Sequence, residues 1–194
     1  MLQVFHIIAG LKVGGAEMTL YRLISKNKET KYCHTVISLT NGGVIKDLLK
    51  EENIEVVVFD FQKNSIKKFW KLFLYMKTKK PDIVCAWMYH ANVIGGVAAY
   101  LAGVKNIIWG LRTTDVKTGS NFFTKIIRGL GSGLSYFIPK IIVCPAKSVS
   151  ISHSRIGYSK NKLIVIHNGY DSEKIKFNSE KRDLFRENLG LKSD

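Results

Sequence analysis

Acidic side chains are scarce in this chain, and the scarcity is regional. Fifteen Asp and Glu stand against thirty Lys and Arg, a formal net charge of +15. Between Ile83 and Gly169 the one acid is Asp115, and residues 63–80 hold seven lysines with no acid. Such a surface favours an anionic partner: nucleic acid, acidic lipid headgroups or a phosphorylated small molecule. A lysine-rich composition with no bearing on function reads the same way, because net charge governs solubility and nonspecific binding first.

Cysteine is rare as well. Cys33, Cys85 and Cys144 form no Cys-x-x-Cys pair and no Cys/His spacing, so neither a zinc site nor another metal or cofactor is expected. Each lies within or beside an apolar run, where a reduced core thiol is the ordinary role. No uncharged run reaches the ~20 residues of a membrane span, and no basic-then-apolar leader opens the chain. The expected location is the cytoplasm, with peripheral attachment to the inner membrane face as a further reading. A hydrophobic content of 46% with 23% charged residues suits a soluble globular domain and excludes a disordered chain.

Short β-rich apolar runs recur at residues 4–9, 34–39, 56–59, 83–87, 106–109, 141–144 and 163–166. Most are continuous rather than alternating, the mark of strands covered on both faces. Helical patterns fill the gaps at 16–26, 44–52, 65–79, 91–102, 122–130 and 146–154. Strict alternation predicts an α/β fold, a Rossmann-like doubly wound parallel sheet of about seven strands with helices on both faces. It would occupy residues 1–171, followed by a polar linker and a short amphipathic segment over 183–191. Leu184, Phe185 and Leu189 of that segment need a surface to cover.

In such a sheet, ligands bind beyond the carboxyl ends of the strands. The residues there are 10–17, 40–43, 88–92, 110–115 and 167–171. Gly14 and Gly15 open a helix whose first amides attract phosphate. Their spacing does not match Gly-x-Gly-x-x-Gly, which argues against a nicotinamide-dependent oxidoreductase.

Taken in order, several segments resemble the N-terminal half of a family 4 retaining glycosyltransferase of the two-domain GT-B type. They are Gly14-Gly15-Ala16-Glu17 after the first strand, Lys80-Pro81-Asp82-Ile83-Val84, and Met88-Tyr89-His90-Ala91-Asn92. Residues 143–148 stand where the family has "v-v-x-x-S", residues 164–171 match its "vIpNGiD", and residues 186–191 its "r-x-x-l-g-l". The resemblance implies two facing domains with the reaction between them, the N-terminal one holding the acceptor and the C-terminal one most of the nucleotide sugar. Residues 172–194 would then be the interdomain linker and the start of a donor domain. A hexosyl transfer to a lipid-linked or cell-surface glycan, in polysaccharide, O-antigen or capsule synthesis, is the implied activity. The chain by itself is expected to be inactive, since the groups that stabilise the leaving diphosphate lie in the other half.

Carried over by position, the resemblance puts Gly14 and Gly15 near the donor phosphates. Glu17 is either a ligand there or a helix-terminus charge. His90 and Asn92 would face the acceptor, with a histidine bonded to nearby backbone as the alternative. Asn168, Gly169 and Asp171 would shape the wall of the cleft or simply its turn. Many relatives carry a histidine after the fifth strand where this chain has Arg112, which cannot act as a base but binds phosphate bidentately. Arg112 and His90 are the candidate catalytic residues, with Asp115 orienting Arg112. No dyad is visible, so positioning and electrostatics are expected to carry the chemistry.

Ile66, Phe69, Trp70, Phe73 and Leu74 or Met76 make an apolar helix face flanked by Lys67, Lys68, Lys71 and Lys77, and Phe122-Phe123 with Lys125 and Arg128 repeats the pattern. Both faces either pack on the sheet or lie against an anionic membrane, through Lys67, Lys68, Trp70, Lys71, Phe122 and Phe123. A nucleic-acid-binding domain would rest on charge alone, since no helix-turn-helix, RNP-like strand or zinc motif is present; no nucleic acid is expected. A non-catalytic binding module with a basic surface is the remaining alternative.

Overall fold

A computed structural model describes residues 1–27, 31–114, 122–169 and 176–191. Seven strands form one parallel sheet: β1 (Leu2–Ile8), β2 (Tyr32–Ser38), β3 (Glu55–Val58), β4 (Ile83–Trp87), β5 (Asn106–Gly110), β6 (Ile141–Cys144) and β7 (Leu163–Val165). Their spatial order is β3-β2-β1-β4-β5-β6-β7. The helices are α1 (Gly15–Lys26), α2 (Val44–Glu51), α3 (Ser65–Lys79), α4 (Met88–Leu101), α5 (Phe122–Leu134), α6 (Lys147–Arg155) and α7 (Ser179–Asn188). The doubly wound parallel sheet read from the alternating pattern is the observed fold.

Register places His6 opposite Val36 on one side and Cys85 on the other, so β1 is central and fully paired. The order of strand addition reverses between β1 and β4, the switch point at which such sheets open a crevice. Side-chain alternation splits the core. Phe5 and Ile7 face one layer with Leu72 and Met76 of α3, Ala91 and Ala98 of α4, and Val149 of α6. Ile8 and Val36 face the other with Leu20 and Ile24 of α1, Ile45 and Leu49 of α2, and Trp87. On that second side an apolar groove of about 1110 Å³ runs between α1 and Cys85, Ile108, Val143 and Ile166.

Helix α4 lies close on the sheet because it carries Gly95 and Gly96. A Cβ on Gly96 would stand 2.6 Å from Nε1 of Trp109, itself fully buried.

Some expectations need correction. Cys33 is exposed at the start of β2, whereas Cys144 is buried and Cys85 half-buried, with burial holding the Cys144 thiol at about 11. The helix read from residue 91 begins at Met88, flush against β4. The polar stretch read as linker up to residue 182 is helical from Ser179, where the Asn178 side chain accepts from the Lys181 amide. Such an N-cap supplies a partner for an otherwise orphan helix amide. Leu184 and Phe185 of α7 and Leu189 just after it remain exposed.

Candidate functional site

The carboxyl ends of β1, β4, β5 and β7 bring the candidate residues to one edge of the sheet. After β1, Gly14 is extended and serves as N-cap of α1 with no side-chain cap. The Glu17 carboxylate folds back over the helix start and fills the place of a Cβ at Gly14. In this arrangement Glu17 acts as a charge at the helix terminus, where a carboxylate is favoured by the dipole.

After β4 the chain makes a tight turn straight into α4, with Met88 in the left-handed region at φ 68°. Such backbone is costly for a non-glycine residue and persists only where neighbours fix it. Asn92 does this. It is 1% exposed, and its amide nitrogen, oriented toward the carbonyls, donates to Ala86 O at 2.8 Å and Met88 O at 3.3 Å. The side chain expected from the sequence to face an acceptor is thus buried and bonded to the turn.

Neighbouring Tyr89 ties the same turn to α6. His153 Nδ1 lies 2.8 Å from the Val149 carbonyl and must donate to it, which leaves Nε2 to accept from the Tyr89 hydroxyl at 2.7 Å. His153 is buried, and that burial lowers its pKa, keeping the ring neutral. His90, one residue further, stacks on Phe123 of α5 with ring centroids 5.9 Å apart. Partial burial lowers its pKa too, so at neutral pH it presents an uncharged imidazole against α5, on the layer opposite the α1 groove.

Arg112 follows β5. Its guanidinium carbon sits 4.4 Å from the centre of the Trp87 ring, and Nη1 donates to Asn168 Oδ1 at 2.7 Å. Its Nε is buried and has no hydrogen-bond partner among the described residues. Burial lowers the pKa, with the Cys144 thiol acting the other way, yet a guanidinium remains a cation in protein. The result is a fixed positive charge at the end of the apolar groove that Trp87, Asn168 and Gly169 also line. After β7, His167 Nδ1 donates to the Pro145 carbonyl at 3.1 Å, joining the ends of β6 and β7.

The structure thus brings together Arg112 and Asn168, with Gly169 beside them. It sets Gly14, Gly15 and Glu17 at α1, and His90 on the opposite layer against Phe123. Asp115 and Asp171 lie outside the described residues; within them, the group that orients Arg112 is Asn168. Trp87 as a platform for Arg112 and His153 as an anchor for Tyr89 went unread in the sequence. A tryptophan closing a strand at the switch point was the available signal for the first.

The profile of Glycosyltransferase Family 4 matches residues 13–174. Among solved structures, Anabaena Alr3699/HepE in complex with UDP-glucose superposes with a TM-score of 0.78 at 19% identity, over 98% of this chain and 50% of that one. Acinetobacter baumannii MurG gives 0.62 at 17%, over 91% and 48%. A UDP-N-acetylglucosamine 2-epimerase from Rickettsia bellii gives 0.59 at 13%, over 99% and 52%. These likenesses concern the fold, which transferases and an epimerase share, and the chain spans about half the length of each of these structures. Among curated proteins no sequence matches. No helix among the described residues is long and apolar enough to cross a membrane. The match over residues 13–174, most of the chain's length, decides the assignment: the chain belongs to glycosyltransferase family 4.

Proposed function

We propose that residues 1–171 form the acceptor-side domain of a retaining hexosyltransferase that moves a sugar from a nucleotide-sugar donor to a lipid-linked or cell-surface glycan. Residues 172–194 lead toward a donor-binding domain, and the chain without that domain is inactive. The observation that carries this reading is the guanidinium of Arg112, held on Trp87 and Asn168 at the strand ends of a family 4 domain. A fixed, partly desolvated cation stabilises charge that develops on a leaving diphosphate far better than a mobile one in water.

The roles follow from placement. Amides at the start of α1 take donor phosphate oxygens once the Glu17 carboxylate turns away, since two anions at one helix terminus repel. His90, neutral and unprotonated at one nitrogen, accepts from an acceptor or donor hydroxyl. Nothing in this set requires a metal ion. The HepE complex with UDP-glucose supports a nucleotide sugar as donor.

Calorimetric titration tests the division of labour. With UDP, GDP and their hexose conjugates as probes, this chain is expected to bind at millimolar strength or weaker, and the same chain continued through a donor domain at micromolar strength. Micromolar binding by the 194 residues alone would overturn the assignment of the donor site to the other half.

A further inference from the structure

Helix α3 carries two apolar stripes where a surface helix needs one. Leu72 and Met76 are buried, with Phe69 and Phe73 half-buried beside them, and these settle the helix on the sheet. Ile66, Trp70 and Leu74, at i, i+4 and i+8, point away from it and are 79%, 55% and 55% exposed. That outer stripe is roughly 12 Å long at 1.5 Å per residue. Lys67 and Lys71 stand next to it, and Trp70 is held edge-on between Phe69 and Phe73, at 6.1 and 5.7 Å between centroids.

We propose that this outer face of α3 docks on an anionic lipid bilayer, with Ile66, Trp70 and Leu74 entering the interface and the lysines meeting the headgroups. An exposed apolar stripe of large residues marks an interaction site. Lysine beside tryptophan on a helix lying in a plane is the pattern that suits a bilayer interface, each basic group adding attraction to acidic lipid. A second copy of the chain fits poorly, because two faces with seven lysines and no acid over residues 63–80 would be brought together. Topology places the face usefully. In parallel βαβ units each helix starts at the carboxyl edge of the sheet, so the first turns of α3, α4 and α5 share that edge. Phe122 and Phe123, 79% and 60% exposed, open α5 there. The first turn of the docked face, at Ile66, therefore lies at the carboxyl edge of the sheet. The inference stands apart from the transfer reading, because vesicle binding reports on this face whatever chemistry the crevice performs.

Trp87 and Trp109 are 4% and 0% exposed, so Trp70 is the one tryptophan able to report contact. The experiment is sedimentation and tryptophan emission of this chain with vesicles of phosphatidylcholine alone and with 30 mole per cent phosphatidylglycerol (about one acidic lipid in three). Expected are binding to the acidic vesicles only, a blue shift lost in Trp70→Phe, and at least about tenfold weaker partitioning in Lys67→Gln/Lys71→Gln. Ile66→Ser/Leu74→Ser, exposed and free of core contacts, should weaken binding while leaving thermal unfolding unchanged. No binding to acidic vesicles overturns the proposal. So does binding with Trp70 emission unmoved, which would move the vesicle contact to another basic face of the chain.

Discussion

Arg112 and Asn168 join the carboxyl ends of β5 and β7 through one hydrogen bond of 2.7 Å from Nη1 to Oδ1. Fifty-six residues separate them in sequence. The bond fixes the guanidinium over Trp87, so the charge is positioned before any ligand arrives. Preorganisation of this kind is worth more than the charge itself, since no reorganisation is needed when negative charge develops.

In the active transferase, Arg112→Ala is expected to lower kcat/KM by about 10²- to 10³-fold, and Asn168→Ala by about tenfold. Arg112→Lys should recover little, because an ammonium is a point charge without the planar fork that stacks and donates at once. Steady-state kinetics of the three variants, with circular dichroism as a folding control, checks this. Full activity in Arg112→Ala would reduce the residue to a structural one.

Asn92 holds the Met88 turn from inside the protein. Asn92→Ala leaves the Ala86 and Met88 carbonyls without that donor and releases a left-handed methionine, at an expected cost of about 2–3 kcal/mol. For a domain of this size each kcal/mol corresponds to a shift of roughly 2–4 °C. Thermal unfolding reads the loss; an unchanged midpoint would show that Met88 needs no such support.

Gly96→Ala sets two effects against each other. Alanine favours a helix interior by about 1 kcal/mol over glycine. Here the new Cβ would stand 2.6 Å from the indole nitrogen of buried Trp109, and overpacking of that kind costs about 1–3 kcal/mol. The expected net result is lower stability in urea unfolding. A gain would mean that the indole moves aside freely.

His6 sets an acid limit on the fold. It is buried between Trp87 Nε1, 3.4 Å from its Nδ1, and His34, whose Nδ1 lies 3.0 Å from its Nε2. Burial, reinforced by His34, lowers its pKa from 6.5 to about 3. Between those values the unfolded chain binds a proton that the folded one refuses, so folding stability falls as pH drops below 6.5 and this contribution levels off near 3. The slope for one such group is about 1.4 kcal/mol per pH unit. Urea unfolding from pH 7 to 4.5 should show it, and His6→Gln should flatten it; an equal slope in both would assign the acid loss to other groups.

The fold was legible because buried parallel strands print as continuous apolar runs and crossover helices as amphipathic ones. Boundaries failed where tertiary contacts overrode local pattern. Met88, Tyr89 and His90 join α4 only because Asn92 fixes a left-handed residue, and Ser179 joins α7 through the Asn178 cap. Hydropathy marked α3 as amphipathic but not that its apolar residues split into an inner and an outer stripe, since neighbouring stripes on one helix look alike in sequence. At the site, the carboxyl-edge rule located Arg112, Asn168 and His90. It gave no means of pairing Arg112 with Asn168, or of seeing that Asn92 points inward, because both depend on contacts between distant segments.

The most direct test of the central claim is a transfer assay with labelled nucleotide hexoses and lipid-diphosphate acceptors, run on this chain and on the chain continued through a donor domain. The account predicts labelled lipid from the longer protein and none from the 194 residues. Transfer by the 194 residues alone, or silence in both with each protein folded, would contradict it.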